Sequence, residues 1–387
     1  MAPPSNAYLS AKRLSAPELR YPLHAWLCEA CFLVQLEAFE SPHELFSDYA
    51  YFSSYADSWL THAQTFANMA IERFALDGSS RVIEVASNDG YLLQYFRERN
   101  IPVLGIEPAA NVAAAARAKG VPTLVQFFGR ETAKVLAAEG KRADLLVGNN
   151  VLAHVPDLND FIAGLAIALA PDGVLSMEFP HLLRLIEETQ FDTIYHEHFS
   201  YLSLVAVDAA FARHGLVLFD VEELTTHGGS LRIFARHAPG EPSDRLLAVR
   251  AAEHAAKLDQ AAGYVGFEAR VQAVKRDLLA FLVNAKREGK TVVGYGAPAK
   301  GNTLLNYCGV TSDLLAYTVD RSPHKQGLFL PGTHIPIHAP DHLRTTRPDY
   351  VLNLPWNLRH EVMAQMADVR SWGGRFVIPI PTVRVLD

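Results

Sequence analysis

The segment Ile194–Ser203, IYHEHFSYLS, gathers Tyr195, His196, Glu197, His198 and Tyr201 in one short run. Such a run could bind a metal, move protons or simply pack. His-x-His with one glutamate falls short of the three protein ligands a catalytic metal normally shows. Acid/base work is the better match, because imidazole titrates near neutral pH. If the segment is extended, His196 and His198 face one way while Tyr195 and Glu197 face the other. If it turns, Tyr195 and His198 share a face, as do Glu197 and Tyr201. The turn joins a phenol to an imidazole. That pair suits acid/base work, in which one group moves a proton and the other donates to a nearby oxygen. His198 is the expected base, Tyr195 the group that orients or donates, and Glu197 a holder of a hydroxyl or of the imidazole. His181, in EFPHLL just after an expected strand, is the second candidate base.

Two strand–turn–helix passages supply binding chemistry. In VIEVASNDGYLL, a short β-rich run ends in Ser87, Asn88, Asp89 and Gly90, and a helix follows. Ligands of open α/β sheets sit at such strand ends, where free helix N–H groups face them. Glu84 lies in the run, and Glu107 ends the next strand, where a carboxylate can take both hydroxyls of a ribose. One glycine suits a nucleoside-type ligand better than a pyrophosphate. DLLVGNNVLAHVPD adds Asn149, Asn150 and His154 at a later strand end. The second passage is TVVGYGAPAKGNTLL. Gly294, Gly296 and Ala299 match a dinucleotide fingerprint, Asp320 ends the following strand, and Lys300 and Asn302 are candidate substrate contacts. The match leaves open a dinucleotide, a substrate phosphate or a plain turn.

Elements must carry these residues. Strands alternate with helices from Arg81 and again from Thr291, which predicts an α/β protein with two parallel sheets covered on both faces. The 387 residues read as three packed parts: a small N-terminal domain over 1–70, a central domain over 71–240 and a C-terminal α/β domain over 241–387. Hydrophobic residues are 49% and charged residues 20%, ordinary for a globular core. A net charge of −7 without a basic run gives no footprint for nucleic acid. No stretch is apolar enough to span a membrane, and no secretory h-region opens the chain, so the expected location is cytoplasmic. Three cysteines make no disulfide framework. Nothing in the sequence sets the oligomeric state; a monomer is compatible with it.

YPLHAWLCEACFLVQL, YAYFSSYADSW, EVASNDGYLL, GIEP, NNVLAHVPD, YHEHFSYLS, HGGSLRIFA and GYGAPAKGNTLLN stand in the order found in sugar C-methyltransferases. The chain resembles that family over nearly its whole length. The resemblance implies a Rossmann-like class I methyltransferase domain, a zinc-binding N-terminal domain and a second Rossmann-like C-terminal domain. It implies S-adenosylmethionine as cofactor and carbon methylation of a nucleotide-linked keto-sugar in deoxysugar biosynthesis. It maps the active site onto Tyr195, Glu197 and His198, and it brings a tyrosine of the YAYFSSYADSW segment, Tyr51, to the substrate pocket with His62 behind it. The chain departs from the family in one respect. Two Cys-x-x-Cys pairs hold the family's zinc, and here only Cys28 and Cys31 are present, half of a tetrahedral site. PPSNAYLS resembles the text after the first pair, which places that pair upstream of Met1 or leaves it lost. His24 and His43 are the residues able to complete the site, and the expectation is less than one zinc per chain. The competing readings are an NAD-dependent nucleotide-sugar oxidoreductase using Gly294, Gly296 and Asp320, and a non-catalytic binding homologue.

Overall fold

The computed structural model describes residues 1–41, 53–55, 57–238 and 240–386. Near the N-terminus, β1 (Trp26–Leu27) and β2 (Val34–Gln35) pair antiparallel across the Cys28–Cys31 turn. The chain then runs through helix Asp57–Arg73 into β3 (Val82–Val85), β4 (Val103–Ile106), β5 (Thr123–Leu124), β6 (Ala143–Asn149) and β7 (Leu169–Pro180). Next, β8 (Ser200–Tyr201) leaves this sheet and pairs with β2. Finally β9 (Val217–Leu224) and β10 (Ser230–Arg236) return to complete it. The central order is β5-β4-β3-β6-β7-β10-β9. Strands β3 to β7 are parallel, while β10 is antiparallel to both neighbours. This is the Rossmann-like methyltransferase arrangement expected above. Connections diverge to either side of the β3–β6 pair, which opens a crevice at the carboxyl ends of those strands.

All four residues of β3 are buried, as a strand covered on both faces requires. Val82 joins the apolar cluster of Phe66, Phe96 and Leu145 on one face. Ile83 and Val85 join Leu146, Phe161 and Ile162 on the other. Helix Leu158–Ala168 supplies that second face, and its N-terminus is capped by the Asp157 carboxylate accepting from the Asp160 amide at 2.9 Å.

A 21-residue helix, Phe267–Arg287, leads into the last sheet. Its strands are β11 (Val292–Tyr295), β12 (Thr318–Val319), β13 (Ile337–His338), β14 (Tyr350–Asn353), β15 (Arg375–Ile378) and β16 (Arg384–Leu386). The order is β13-β12-β11-β14-β15-β16, parallel except for β16. The N-terminal segment ties the parts together, since Leu9 forms a β-bridge with Phe329. No helix among the described residues is long and apolar enough to cross a membrane.

Candidate active site

The loop after β3 is built from alternating left-handed residues: Ala86 (φ 57°), Asn88 (φ 48°) and Gly90 (φ 77°). A glycine-rich loop reaches this shape at little cost, and Asn tolerates it, but alanine is strained there. The strain is held by the next strand end. Glu107 Oε2 accepts from the Asn88 amide and Oε1 from the Ala109 amide, each at 2.9 Å. Burial pushes the Glu107 pKa up, and the two amides oppose it. On the far side of the loop, Lys119 donates to Asp89 at 2.9 Å, and the Ser53 amide donates to Asn88 Oδ1 at 2.9 Å.

Several buried oxygens at the ends of β3 and β6 have no hydrogen-bond partner, namely Ser87 Oγ, Asp89 Oδ1, Asn149 Oδ1 and Asn150 Oδ1, and the buried Glu84 carboxyl has only Tyr91 beside it. Burial, then the charges of Glu107 and Asp89, holds Glu84 well above the usual carboxylate range, with Tyr91 opposing. Orphaned buried acceptors in native proteins call for a missing partner. This acceptor-rich set fits S-adenosylmethionine, whose ribose hydroxyls and ammonium are donors. The expected cofactor residues Glu84, Ser87, Asn88, Asp89, Gly90, Glu107, Asn149 and Asn150 stand at or just beyond the carboxyl ends of the adjacent strands β3, β4 and β6, whereas His154, expected with them, packs against His198.

The segment that opened the sequence argument is a turn. Helical turn Phe191–Thr193 precedes it, and the His198 amide donates to the Tyr195 carbonyl at 2.9 Å. Tyr195 and His198 consequently stack, with ring centroids 4.1 Å apart. The Tyr195 hydroxyl lies 2.8 Å from His198 Nε2, and His198 Nδ1 lies 3.0 Å from the Thr193 carbonyl. A carbonyl only accepts, so Nδ1 carries the proton and Nε2 accepts from tyrosine. His154 meets the same ring edge-on at 4.7 Å. Burial pushes His154 down to about 4. Burial first, then the charges of His154, His227 and Lys300, holds His198 well below the usual histidine range. The Tyr201 ring lies 6.2 Å from His198, and its buried hydroxyl meets the Tyr195 backbone. Glu197 points away from the imidazole and accepts from Asn6 Nδ2 at 2.6 Å.

His181 is separate from this group. It is 2% exposed, and its Nε2 is bonded to Glu253 at 2.7 Å. Glu253 also accepts from the amides of Leu204 and Val205, so His181 belongs to a buried structural cross-link. No hydrogen bond or ring contact among the described residues joins it to Tyr195 or His198.

His227, Trp59 and Arg232, which sequence reasoning did not assign, stand beside His62, which it placed behind Tyr51. His227 is left-handed (φ 54°) in the turn Thr226–Gly228, with Nε2 2.9 Å from Asn150 Nδ2. Desolvation by surrounding protein, then the Lys300 charge, pushes its pKa down, although part of the ring meets solvent. Trp59 stacks on His62 at 4.9 Å and meets His227 at 5.6 Å. His62 and Arg232 converge on the buried Glu178 at 2.8 and 2.9 Å. The available signal was HGGSLRIFA, in which paired glycines after histidine announce a tight turn.

The C-terminal sheet contributes Lys300. Its Nζ donates to Asn357 at 2.9 Å and lies 4.6 Å from the centre of the Trp356 ring. Burial lowers its pKa, and Asp192 opposes this. Asn302 is instead committed to the Ser5 carbonyl at 2.6 Å. The dinucleotide fingerprint is spoken for by the protein itself. A Cβ on Gly294 would lie 2.6 Å from Thr318, and one on Gly296 2.6 Å from Pro355. Asp320 accepts from the Ala297 amide at 2.7 Å, and Tyr8 donates to the Ala297 carbonyl at 2.5 Å. Packing and the N-terminal segment explain these residues without a dinucleotide.

Cys28 and Cys31 lie on a tight turn in which the Phe32 amide donates to the Cys28 carbonyl at 2.8 Å. Among the described residues no third histidine, cysteine or carboxylate joins them as a metal-binding group. His24 is turned edge-on to Trp26 at 4.5 Å. The residues present do not make a closed tetrahedral zinc site. His43 and Tyr51 lie outside the described residues.

Three family models match the chain: "Putative zinc binding domain" over residues 1–46, "Methyltransferase domain" over 59–221 and "C-methyltransferase C-terminal domain" over 225–381. C-methyltransferase NovU from Streptomyces niveus is 36% identical over 375 residues, covering 96% of this chain and 89% of its own. A ubiquinone biosynthesis O-methyltransferase from Chelativorans sp. (strain BNC1) is 27% identical over 96 residues, 24% of this chain and 38% of its own. Among solved structures, magnesium protoporphyrin IX methyltransferase (ChlM) from Synechocystis PCC 6803 aligns with a TM-score of 0.37 and 15% identity, over 46% of this chain and 83% of its own.

Proposed function

This chain belongs to the C-methyltransferase family, and from that premise we propose that it methylates the carbon alpha to the ketone of a nucleotide-linked keto-deoxysugar. S-adenosylmethionine is its methyl donor and supplies the electrophilic methyl group when bound. The observation that carries the reading is the Tyr195–His198 pair, bonded at 2.8 Å within the field of Lys300. Carbon is not nucleophilic until its proton is removed. His198 Nε2 takes that proton as the Tyr195 hydroxyl turns from the imidazole to the substrate's carbonyl oxygen. The C–H pair becomes the enolate, the new N–H is on His198, and the Thr193 carbonyl holds Nδ1–H throughout. Tyr195 and the Lys300 ammonium face the negative oxygen, where fixed donors contribute most. The enolate carbon is then the nucleophile for the donor's methyl group, whose C–S bond would break with its electron pair leaving on sulfur as S-adenosylhomocysteine. Glu107 and the loop Ala86–Gly90 hold the donor, and Tyr201 lines the sugar side.

The test is incubation with isotopically labelled S-adenosylmethionine and a panel of nucleotide-linked keto-sugars, read by mass spectrometry. Gain of one labelled methyl group on carbon is expected. Methylation confined to oxygen, or to sugars lacking a ketone, would remove the enolate reading.

A further inference from the structure

The turn that carries His198 does not stand on the central sheet alone. Phe191 is buried in the apolar cluster of the C-terminal sheet, together with Leu304, Leu305 and Trp356. Its ring also meets Tyr307 edge-on at 5.1 Å. The next residue, Asp192, is fully buried, and its Oδ2 accepts from the Trp356 indole N–H at 2.7 Å. Its carboxylate also meets the backbone of Asp192 and Thr193 and the charge of Lys300. The residue after that is Thr193, whose carbonyl fixes His198 Nδ1 at 3.0 Å. Thr193 is itself clamped, its amide and hydroxyl donating to the Gln190 carbonyl at 3.1 and 2.7 Å. Three consecutive residues thus connect the C-terminal sheet to the imidazole: one apolar anchor, one polar anchor and one carbonyl.

A buried carboxylate costs stability unless its partners are well placed, and those of Asp192 are the Trp356 indole, the Lys300 charge and the backbone of its own turn. Those partners join the C-terminal domain directly to the catalytic turn. We propose that Asp192 is a positioning residue: the C-terminal domain, through the Trp356–Asp192 bond, aims the Thr193 carbonyl and so fixes the tautomer and orientation of His198. The proposal rests on the reading of His198 as the base. It adds that the last domain helps assemble the catalytic turn as well as walling the cleft.

Losing the bond frees the carbonyl to drift and lets the imidazole adopt its other tautomer, with Nε2 protonated and useless as a base. Two single variants and their double test this. Trp356→Phe keeps the ring under Lys300 but removes the donor. Asp192→Leu removes the acceptor, and because the carboxylate also offsets the Lys300 charge it is made both alone and in a Lys300→Met background, where that second effect is absent. Each should lower kcat for methyl transfer about 10- to 30-fold, the scale of one well-placed hydrogen bond. The Kd for S-adenosylhomocysteine and the KM for the sugar should stay within about threefold. The double variant should be no slower than either single one, because both break the same link. Histidine nitrogen NMR should show His198 as the Nδ1–H tautomer in the wild type and as a mixture in the variants. A merely structural bond would lower the melting temperature and leave kcat and the tautomer alone, and that result overturns the proposal. Losses that multiply in the double variant overturn it as well. Failure of the base reading is separately visible: His198→Asn would then remain active, whatever the two relay variants do.

Discussion

The Tyr195 hydroxyl donates to His198 Nε2 at 2.8 Å, while the other ring nitrogen is tied to a backbone carbonyl. The imidazole is therefore neutral, with its free lone pair directed at a phenol. It is also a poor host for a second proton. Burial and the Lys300 charge both depress its pKa.

The pH dependence follows from that depression. A histidine acting as base loses activity when it is protonated, so the rate falls as pH drops through its pKa. An unperturbed ring would place that acid limb near pH ~6.5. Here the limb should lie clearly lower, leaving methyl transfer flat through the neutral range. A pH–kcat/KM profile that bends near the ordinary histidine value would contradict the geometry described above.

Replacing the base separates binding from chemistry. His198→Asn should fold and bind cofactor normally, yet transfer methyl groups about 10²–10⁴-fold more slowly. Exchange of the sugar's alpha proton with deuterated water, where the wild type shows it, should vanish. Tyr195→Phe should retain part of that exchange, because Nε2 is then unobstructed while the oxyanion has lost one donor. A His198→Asn enzyme within a few-fold of wild type would end the assignment.

Glu107 carries two duties, and its loss should show both. Its carboxylate satisfies the amides of Asn88 and Ala109, and in the proposed reading it also takes the cofactor's ribose hydroxyls. Glu107→Ala should weaken S-adenosylhomocysteine binding by about 2–4 kcal/mol, the scale of lost charge-assisted hydrogen bonds. It should also lower the melting temperature, since the strained loop loses its tether. Calorimetry returning an unchanged affinity would place the ribose elsewhere.

Much of this arrangement can be read from the chain, and the exceptions share a cause. Strand alternation announces both sheets, and the i, i+3 spacing of Tyr195 and His198 announces the pair once a turn is assumed. Strand β8 is not legible, because two residues carry no periodicity and its partner β2 lies far away in sequence. Nor is the commitment of Asn302 to Ser5, or of Glu197 to Asn6, since each contact spans a large part of the chain. His181 misleads for the same reason: its strand-end position looks exposed, and only the helix carrying Glu253 buries it. The fingerprint glycines mislead differently. Their small size is required, but by Thr318 and Pro355 rather than by a phosphate.

Lys300 offers the sharpest separation of electrostatics from packing. Its ammonium lies over Trp356 and acts on His198, His227 and Asp192. Lys300→Met keeps an unbranched apolar chain over the indole and deletes the charge together with the bond to Asn357. Two effects should appear together. The enolate oxygen loses a cation, so kcat should fall about 10²–10³-fold, the range for removing one fixed oxyanion partner. His198 loses a charge that opposed its protonation, so its pKa should rise and the acid limb of the pH profile should move to higher pH. The sign is fixed: a cation beside an imidazole stabilises the neutral ring, and its removal favours imidazolium. If the charge serves only to pair with Asp192, the variant should unfold at lower temperature with both kcat and the acid limb in place. A slower enzyme whose acid limb stays put would show that Lys300 contacts the substrate but lies too far from His198 to tune it.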